Sequence, residues 1–215
     1  EPDVTLNGKS LRMVQSTDGN WYAYFANIDK AKIADSTQSA TSGKGLDFGV
    51  FCSRDTASSV FGISLSETDG FAVPRNNGLS GFTNGDASFN PCTGTPTSST
   101  NLNNVVRSAK SINTNSNIPS GQIGLDSDAW PLIQLYDFST GGNVIVQYNS
   151  GGGIQTVTLQ YDDIPNISTT LDRANYPPNS QVFATITDMQ LNQDPTSRDS
   201  WTFNIGIPQT VFYGA

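Results

Sequence analysis

Short runs of β-branched and aromatic residues, alternating with polar ones and broken every few positions by Asp, Asn, Ser, Thr, Gly or Pro, fill this sequence almost from end to end. A period of two sends successive side chains to opposite faces of a strand, and a chain punctuated this often has no room for long helices. The stretch LDRANYPPNSQVFATITDMQLNQDPTSRDSWTF, residues 171–203, shows the pattern most fully. Residues 181–187 are predicted as one strand, with Val182, Ala184 and Ile186 on a buried face and Gln181, Phe183, Thr185 and Thr187 on the other. Pro177 and Pro178 forbid helix on the way in, and Asp188, Asn192, Asp194 and Asp199 offer oxygen ligands on the way out.

Composition removes several functions. The 215 residues carry 11 Lys and Arg against 19 Asp and Glu, a net charge of −8, so the field of the protein repels phosphate backbones and anionic lipid. Nucleic acid is excluded as a partner on that ground. Histidine is absent, which takes away the commonest general base, the commonest transition-metal ligand and the usual activator of a nucleophilic Ser or Cys. No run of about 18 apolar residues exists to span a bilayer, so membrane insertion by this segment is not expected. The chain begins at Glu1 without a cationic, apolar leader, which fits either a processed mature N-terminus or an excised piece.

Two cysteines, Cys52 and Cys92, read as a disulfide in an acidic, Asn/Ser/Thr-rich chain, with two buried free thiols as the alternative. Closing a loop of that length contributes on the order of 4 kcal/mol in the chain-entropy model. Cys92 falls inside a long insertion, residues 75–110, dominated by Asn, Gly, Ser, Thr and Pro, which the bond would staple to a sheet.

Along the chain, residues 10–15 and 20–26 flank Asp18-Gly19, a hairpin turn signal, and Trp21, Tyr22, Tyr24 and Phe25 read as sheet packing. Residues 29–40 are the one short helix expected, with Ala31, Ile33 and Ala34 as its apolar stripe. LDFGVFC, SVFGISL and FAVP read as three short strands around Cys52. WPLIQLYDF, NVIVQY and IQTVTLQY read as a three-strand meander, which Asp162-Asp163-Ile164-Pro165-Asn166 ends. The expected class is therefore all-β, built of β-sandwich or immunoglobulin-like (Ig-like) modules with a disulfide-stapled loop insertion and at most one short helix. The expected division is a β domain over 1–162 and the start of an Ig-like domain over 163–215.

GKSLRMVQSTDGNWYAYFA, LDFGVFC, WPLIQLYDFSTGGNVIVQYNSGGG and LDRANYPPNSQVFATITDMQLNQDPTSRDSWTFNI together resemble the N-terminal part of the large surface-layer (S-layer) proteins of ammonia-oxidising archaea. The resemblance spans most of the chain and is weakest across residues 75–120. It implies a secreted subunit with serial Ig-like domains that assembles with copies of itself into a two-dimensional lattice on the cell surface. It also implies an acidic coat that attracts cations and is pierced by pores through which ammonium reaches the membrane. Proteins of that family are far longer than 215 residues, so the lattice contacts need not all lie in this chain.

Calcium is the one candidate cofactor, because a lattice of acidic modules needs divalent cations to bridge it. The candidate ligands are Asp188, Asn192, Asp194 and Asp199, then Asp126 and Asp128, with Asp162 and Asp163 a further pair; none has EF-hand spacing, and Asx turns are the competing reading. Asn166-Ile167-Ser168 is the candidate glycosylation sequon. An enzyme is not expected, since no acidic pair is bracketed by the aromatic and polar residues a sugar subsite needs. The alternative to a lattice subunit is a secreted carbohydrate-binding or adhesin domain, with Trp21, Trp130 or Trp201 as a stacking platform.

Overall fold

The computed structural model describes residues 1–38, 45–75, 79–80, 89, 91–95, 104–160, 168–187, 199–203 and 210–214, the last two ranges and Ser80 by backbone alone. The chain is all-β in class and divides into two compact units, Glu1–Tyr161 and Asp162–Ala215, each taken by itself below.

In the first unit the strands are β1 (Asp3–Leu6), β2 (Lys9–Ser10), β3 (Val14–Gln15), β4 (Trp21–Tyr22), β5 (Tyr24–Asn27), β6 (Val50–Cys52), β7 (Gly70–Val73), β8 (Leu79–Ser80), β9 (Thr93–Gly94), β10 (Ile133–Tyr136), β11 (Asn143–Ser150) and β12 (Gly153–Gln160). Two short helices interrupt them, α1 (Ile28–Asp35) and α2 (Ala57–Phe61). Eight strands form two four-stranded sheets, ordered β12-β11-β1-β2 and β5-β10-β7-β6, while β3-β4 and β8-β9 are two-stranded ribbons.

The second of these sheets is covered on both faces. In β6, β7 and β10 every residue is buried, as continuous apolar runs such as GFAV and VFC require when neither face meets water. Val50, Cys52, Phe71 and Val73 face a cluster with Ala57 and Phe61 of α2 and Leu125, Ala129 and Leu132. Phe51, Ala72, Ile133 and Leu135 face Ile28 and Ala31 of α1. Phe61 meets Phe71 edge to face, ring centroids 5.3 Å apart. Gly49, at φ 97°, precedes β6 where a Cβ would lie 1.8 Å from the Val73 carbonyl oxygen, so only glycine lets the two backbones approach. The first sheet packs its inner face, Val4, Leu6 and Val144, on Tyr136 and Phe138 with Phe25 alongside, so the two sheets share a core.

Several expectations change. SVFGISL is not a strand: α2 is a second helix where at most one was expected, because Ala57 and Phe61 stand four apart and bury together, and Gly62 ends the turn at φ 77°. The first helix is shorter than residues 29–40 and starts earlier, capped by Asn27, whose Oδ1 accepts from the Lys30 N–H at 2.9 Å. It buries Ile28, Ala31 and Asp35 rather than Ile33, which is 63% exposed. The three-strand meander does not form, although β11 and β12 pair as read. β10 instead lies between β7, antiparallel, and β5, parallel, because all four of its residues are buried, which only a sheet covered on both sides allows. The hairpin across Asp18-Gly19 forms, but over β3 and β4 alone, with Val14 opposite Tyr22 and Gln15 opposite Trp21, while residues 24–26 pass into β5 of another sheet. Reading the sequence missed the hairpin of β1 and β2, whose turn, Asn7-Gly8, has φ 49° and 81° as a type I′ turn requires.

In the second unit β13 (Ser168–Leu171) pairs with β14 (Ala184–Thr187), and β15 (Asp199–Phe203) with β16 (Thr210–Gly214), all antiparallel. The strand is shorter than residues 181–187, and neither of its faces is buried: Val182, Phe183 and Ile186 are 56%, 62% and 64% exposed. Alternation set the pleat, but a two-stranded ribbon has no second layer to bury it against. Local hydrogen bonds hold the loop before β14, where the Asp172 carboxylate accepts from the Tyr176 hydroxyl and, at 3.2 Å, from the Phe183 N–H.

Candidate functional site

Cys52 at the end of β6 and Cys92 just before β9 are joined in a disulfide, Cα atoms 5.2 Å apart, both side chains buried. Phe89, three residues before Cys92, packs its ring 5.6 Å from that of Phe51, and Lys32 Nζ lies 5.0 Å over the Phe89 ring. The bond therefore fastens part of the insertion to the doubly covered sheet.

Of the proposed metal ligands, only Asp126 and Asp128 have side chains among the described residues. Asp126 caps a 3-10 turn over Ser127–Ala129, its Oδ1 accepting from the Asp128 N–H at 2.9 Å, so its carboxylate already serves an Asx turn. One carboxylate so engaged and its neighbour Asp128 fall short of the six to eight oxygens of a calcium shell, and among the described residues no group of three or more His, Cys, Asp or Glu converges. Asp199 opens β15, where the backbone alone is described. Asp188, Asn192, Asp194, the pair Asp162 and Asp163, and the sequon residue Asn166 lie outside the described residues.

Of the three tryptophans, Trp130 is a structural residue. Its Nε1–H donates to the Lys110 carbonyl at 2.6 Å, its ring tilts against Tyr24 at 5.2 Å, and it packs on the core cluster beside Phe71. Trp201 stands in β15. Trp21 differs: it is half-buried and, among the described residues, belongs to none of the three apolar clusters.

The surroundings of Trp21 form a polar row. Ser16 bridges Ile112 antiparallel, and the Thr17 N–H to Ser111 carbonyl (2.9 Å) and Asn113 N–H to Gln15 carbonyl (3.0 Å) bonds extend the β3-β4 ribbon by a third extended segment. Val14 and Ser16 are buried, so Gln15 between them faces outward. Gln15 stands between Trp21 on one side and Asn113 on the other, three side chains of one face in line. Gln15 Oε1 accepts from Asn113 Nδ2 at 3.1 Å and from Gln122 Nε2 at 3.0 Å, and Gln15 Nε2 donates to the Gly19 carbonyl at 3.3 Å. At the turn, the Tyr22 hydroxyl and the Asn20 N–H hold the Asp18 carboxyl below the usual carboxylate range. The hairpin signal at Asp18-Gly19 placed Gln15 and Trp21 on its two arms, but Asn113 and Gln122 come from about a hundred residues away and carry no local signal.

A second exposed feature is the β11-β12 hairpin. Gly151-Gly152 turns it, with Ser150 opposite Gly153, and Val146 opposite Val157. A two-residue turn makes its closing pair hydrogen-bonded, so Gly153, Gln155, Val157 and Leu159 bond to β11, and Ile154, Thr156, Thr158 and Gln160 aim N–H and C=O outward. Among the described residues no strand pairs with that outer edge. The eight residues of β12 contain no charge and no proline, and Ile154 and Val157 are 65% and 62% exposed.

Two buried polar side chains tie β10 to β2 and the segment that follows it. Gln134 in β10 accepts from the Arg12 N–H at 2.9 Å and donates to the Arg12 carbonyl at 2.8 Å, pairing with backbone as a strand would. Tyr136 donates to the Ser10 carbonyl at 2.7 Å, and burial pushes its hydroxyl far above the ordinary phenol range, with the charges of Glu67 and Asp69 adding to the effect.

No family model and no curated protein matches the chain. No helix among the described residues is long and apolar enough to cross a membrane.

Proposed function

We propose that this chain is a structural subunit of an extracellular surface-layer lattice, without catalytic activity, and that β12 is one strand through which copies join. The observation that carries the reading is the long, uncharged outer edge of β12. Natural sheets blunt such edges with lysine, proline or a bulge, because an unpaired row of N–H and C=O groups templates another strand. Here nothing in β12 does so.

A second copy is the occupant that fits best. Antiparallel pairing about a two-fold axis through Val157 sets Thr156 opposite Thr158 and Ile154 opposite Gln160, with no like charges facing. Elsewhere the net charge of −8 makes copies repel, so an uncharged strip is where contact costs least, and calcium lowers the remaining repulsion by screening. The same charge draws ammonium and other cations to the coat. The disulfide accords with an oxidising, cell-surface location.

Negative-stain imaging and light scattering of the chain, with and without millimolar calcium, test this. Sheets, ribbons or discrete oligomers that disappear in Thr156→Pro and in Val157→Lys are the expected result. Thr156→Pro removes an N–H that points away from β11, and Val157→Lys places a charge on an exposed position, so both leave the hairpin's own ladder in place. A wild-type chain that stays monomeric at every concentration, or assembles unchanged in both variants, overturns the reading.

A further inference from the structure

We infer that the row Trp21, Gln15, Asn113 and Gln122 is a binding platform for a neutral glycan, independent of whether the chain assembles. The half-buried Trp21 stands on the outer face of the ribbon, and among the described residues it joins none of the three apolar clusters. A pyranose presents an apolar face of C–H groups to such a ring and a rim of hydroxyls around it, and carboxamides, which both donate and accept, suit that rim.

Three carboxamides converge here, with the Gln15 oxygen saturated by the other two, which fixes all three in orientation. Gln122 reaches that position only from a strained backbone, φ 67°, a conformation that costs a non-glycine residue free energy and needs support from its surroundings. The support is visible: its N–H donates to the Pro119 carbonyl at 2.7 Å, and the neighbouring Gly121 N–H donates to the Asn113 carbonyl at 2.6 Å.

Charge selects against acidic sugars. Asp18 sits in the turn between β3 and β4 with its carboxyl held ionised by Tyr22 and Asn20, while Lys110 places Nζ 5.4 Å over the Tyr22 ring, on the face of the ribbon opposite to Trp21. The row itself carries no cation to pair with a uronate or sulfate.

The test uses the whole chain, disulfide intact, on an array of neutral and anionic oligosaccharides, followed by titration calorimetry and tryptophan fluorescence with the neutral hexose oligomer that gives the strongest array signal. Trp21→Ala is expected to weaken binding about tenfold or more, Gln122→Ala to weaken it less, and Trp130→Phe to leave it unchanged, with far-UV circular dichroism the same throughout. Binding is expected to persist in Val157→Lys, which separates this site from the outer edge of β12. The inference is overturned if no neutral glycan binds, if only anionic ones do, or if Trp21→Ala binds as well as wild type.

Discussion

Two four-residue strands, GFAV of β7 and ATIT of β14, both carry β-branched or aromatic residues and end in opposite environments. All four residues of β7 are buried, and all four of β14 are exposed. The difference is not in the strands but in what lies over them. β7 sits inside a sheet with α1 against one face and α2 against the other, whereas β14 pairs only with β13. A strand sequence specifies a pleat and a set of hydrogen bonds; burial, and with it most of the stabilisation, needs a second layer.

Removing a large side chain from each region should break or confirm that contrast. Phe71→Ala takes a fully buried ring of β7 away from Phe61 and should cost about 3–5 kcal/mol by urea denaturation, whereas Phe183→Ala, just before the exposed strand, should cost under about 0.5 kcal/mol. Comparable losses would mean that the C-terminal strand is covered by something.

The next effect in size is that of the disulfide, which acts on the covered sheet because Cys52 is one of its residues. The double variant Cys52→Ser with Cys92→Ser should lose about 2–4 kcal/mol, with faster amide exchange at Phe51 and Phe71. Unchanged exchange there would show that the bond orders only the insertion.

The smallest effect is electrostatic and belongs to the polar edge of the same unit. Burial alone would raise the Asp69 carboxyl, but the Asp137 N–H, at 2.7 Å, and the Lys9 ammonium, at 2.9 Å, overcome it and hold the group below its ordinary range. A carboxyl depressed on folding stabilises the folded state above its unfolded value, near 3.9, and loses that contribution as the pH falls through its folded value. Asp69→Asn should therefore cost up to about 1 kcal/mol at pH 7, the difference closing below about pH 3. A gap that is the same at both pH values would assign the loss to packing.

Much of the fold was legible because it is written locally. The Asp18-Gly19 turn, the Gly151-Gly152 turn and the alternation of NVIVQY with IQTVTLQY each specify a hairpin through neighbours in sequence, and two hairpins form there. The Asn7-Gly8 turn carried the same kind of signal and was passed over. The Cys52–Cys92 bond was readable from composition, since two cysteines in such a chain have one partner each. SVFGISL was misread because a short apolar run fits strand and helix alike, and the spacing of Ala57 and Phe61 matters only once a surface exists for them to meet.

The candidate site divides in the same way. Trp21 was visible as an aromatic in a hairpin, and its pairing with Gln15 follows from the turn. The convergence of Asn113 and Gln122 on Gln15 depends on a chain segment returning about a hundred residues later, which no local period encodes.

By itself, then, the order of residues determined that the chain would be strands and tight turns, joined by one covalent link, acidic and without histidine chemistry. Only the folded chain decided which runs lie between two layers and which meet water, that β10 leaves its sequence neighbour β11 to pair with β5 and β7, and that three amides meet beside Trp21. The reason is the range of the forces: propensity and turn geometry act over a few residues, while burial and side-chain pairing act between whatever the closed loops bring together.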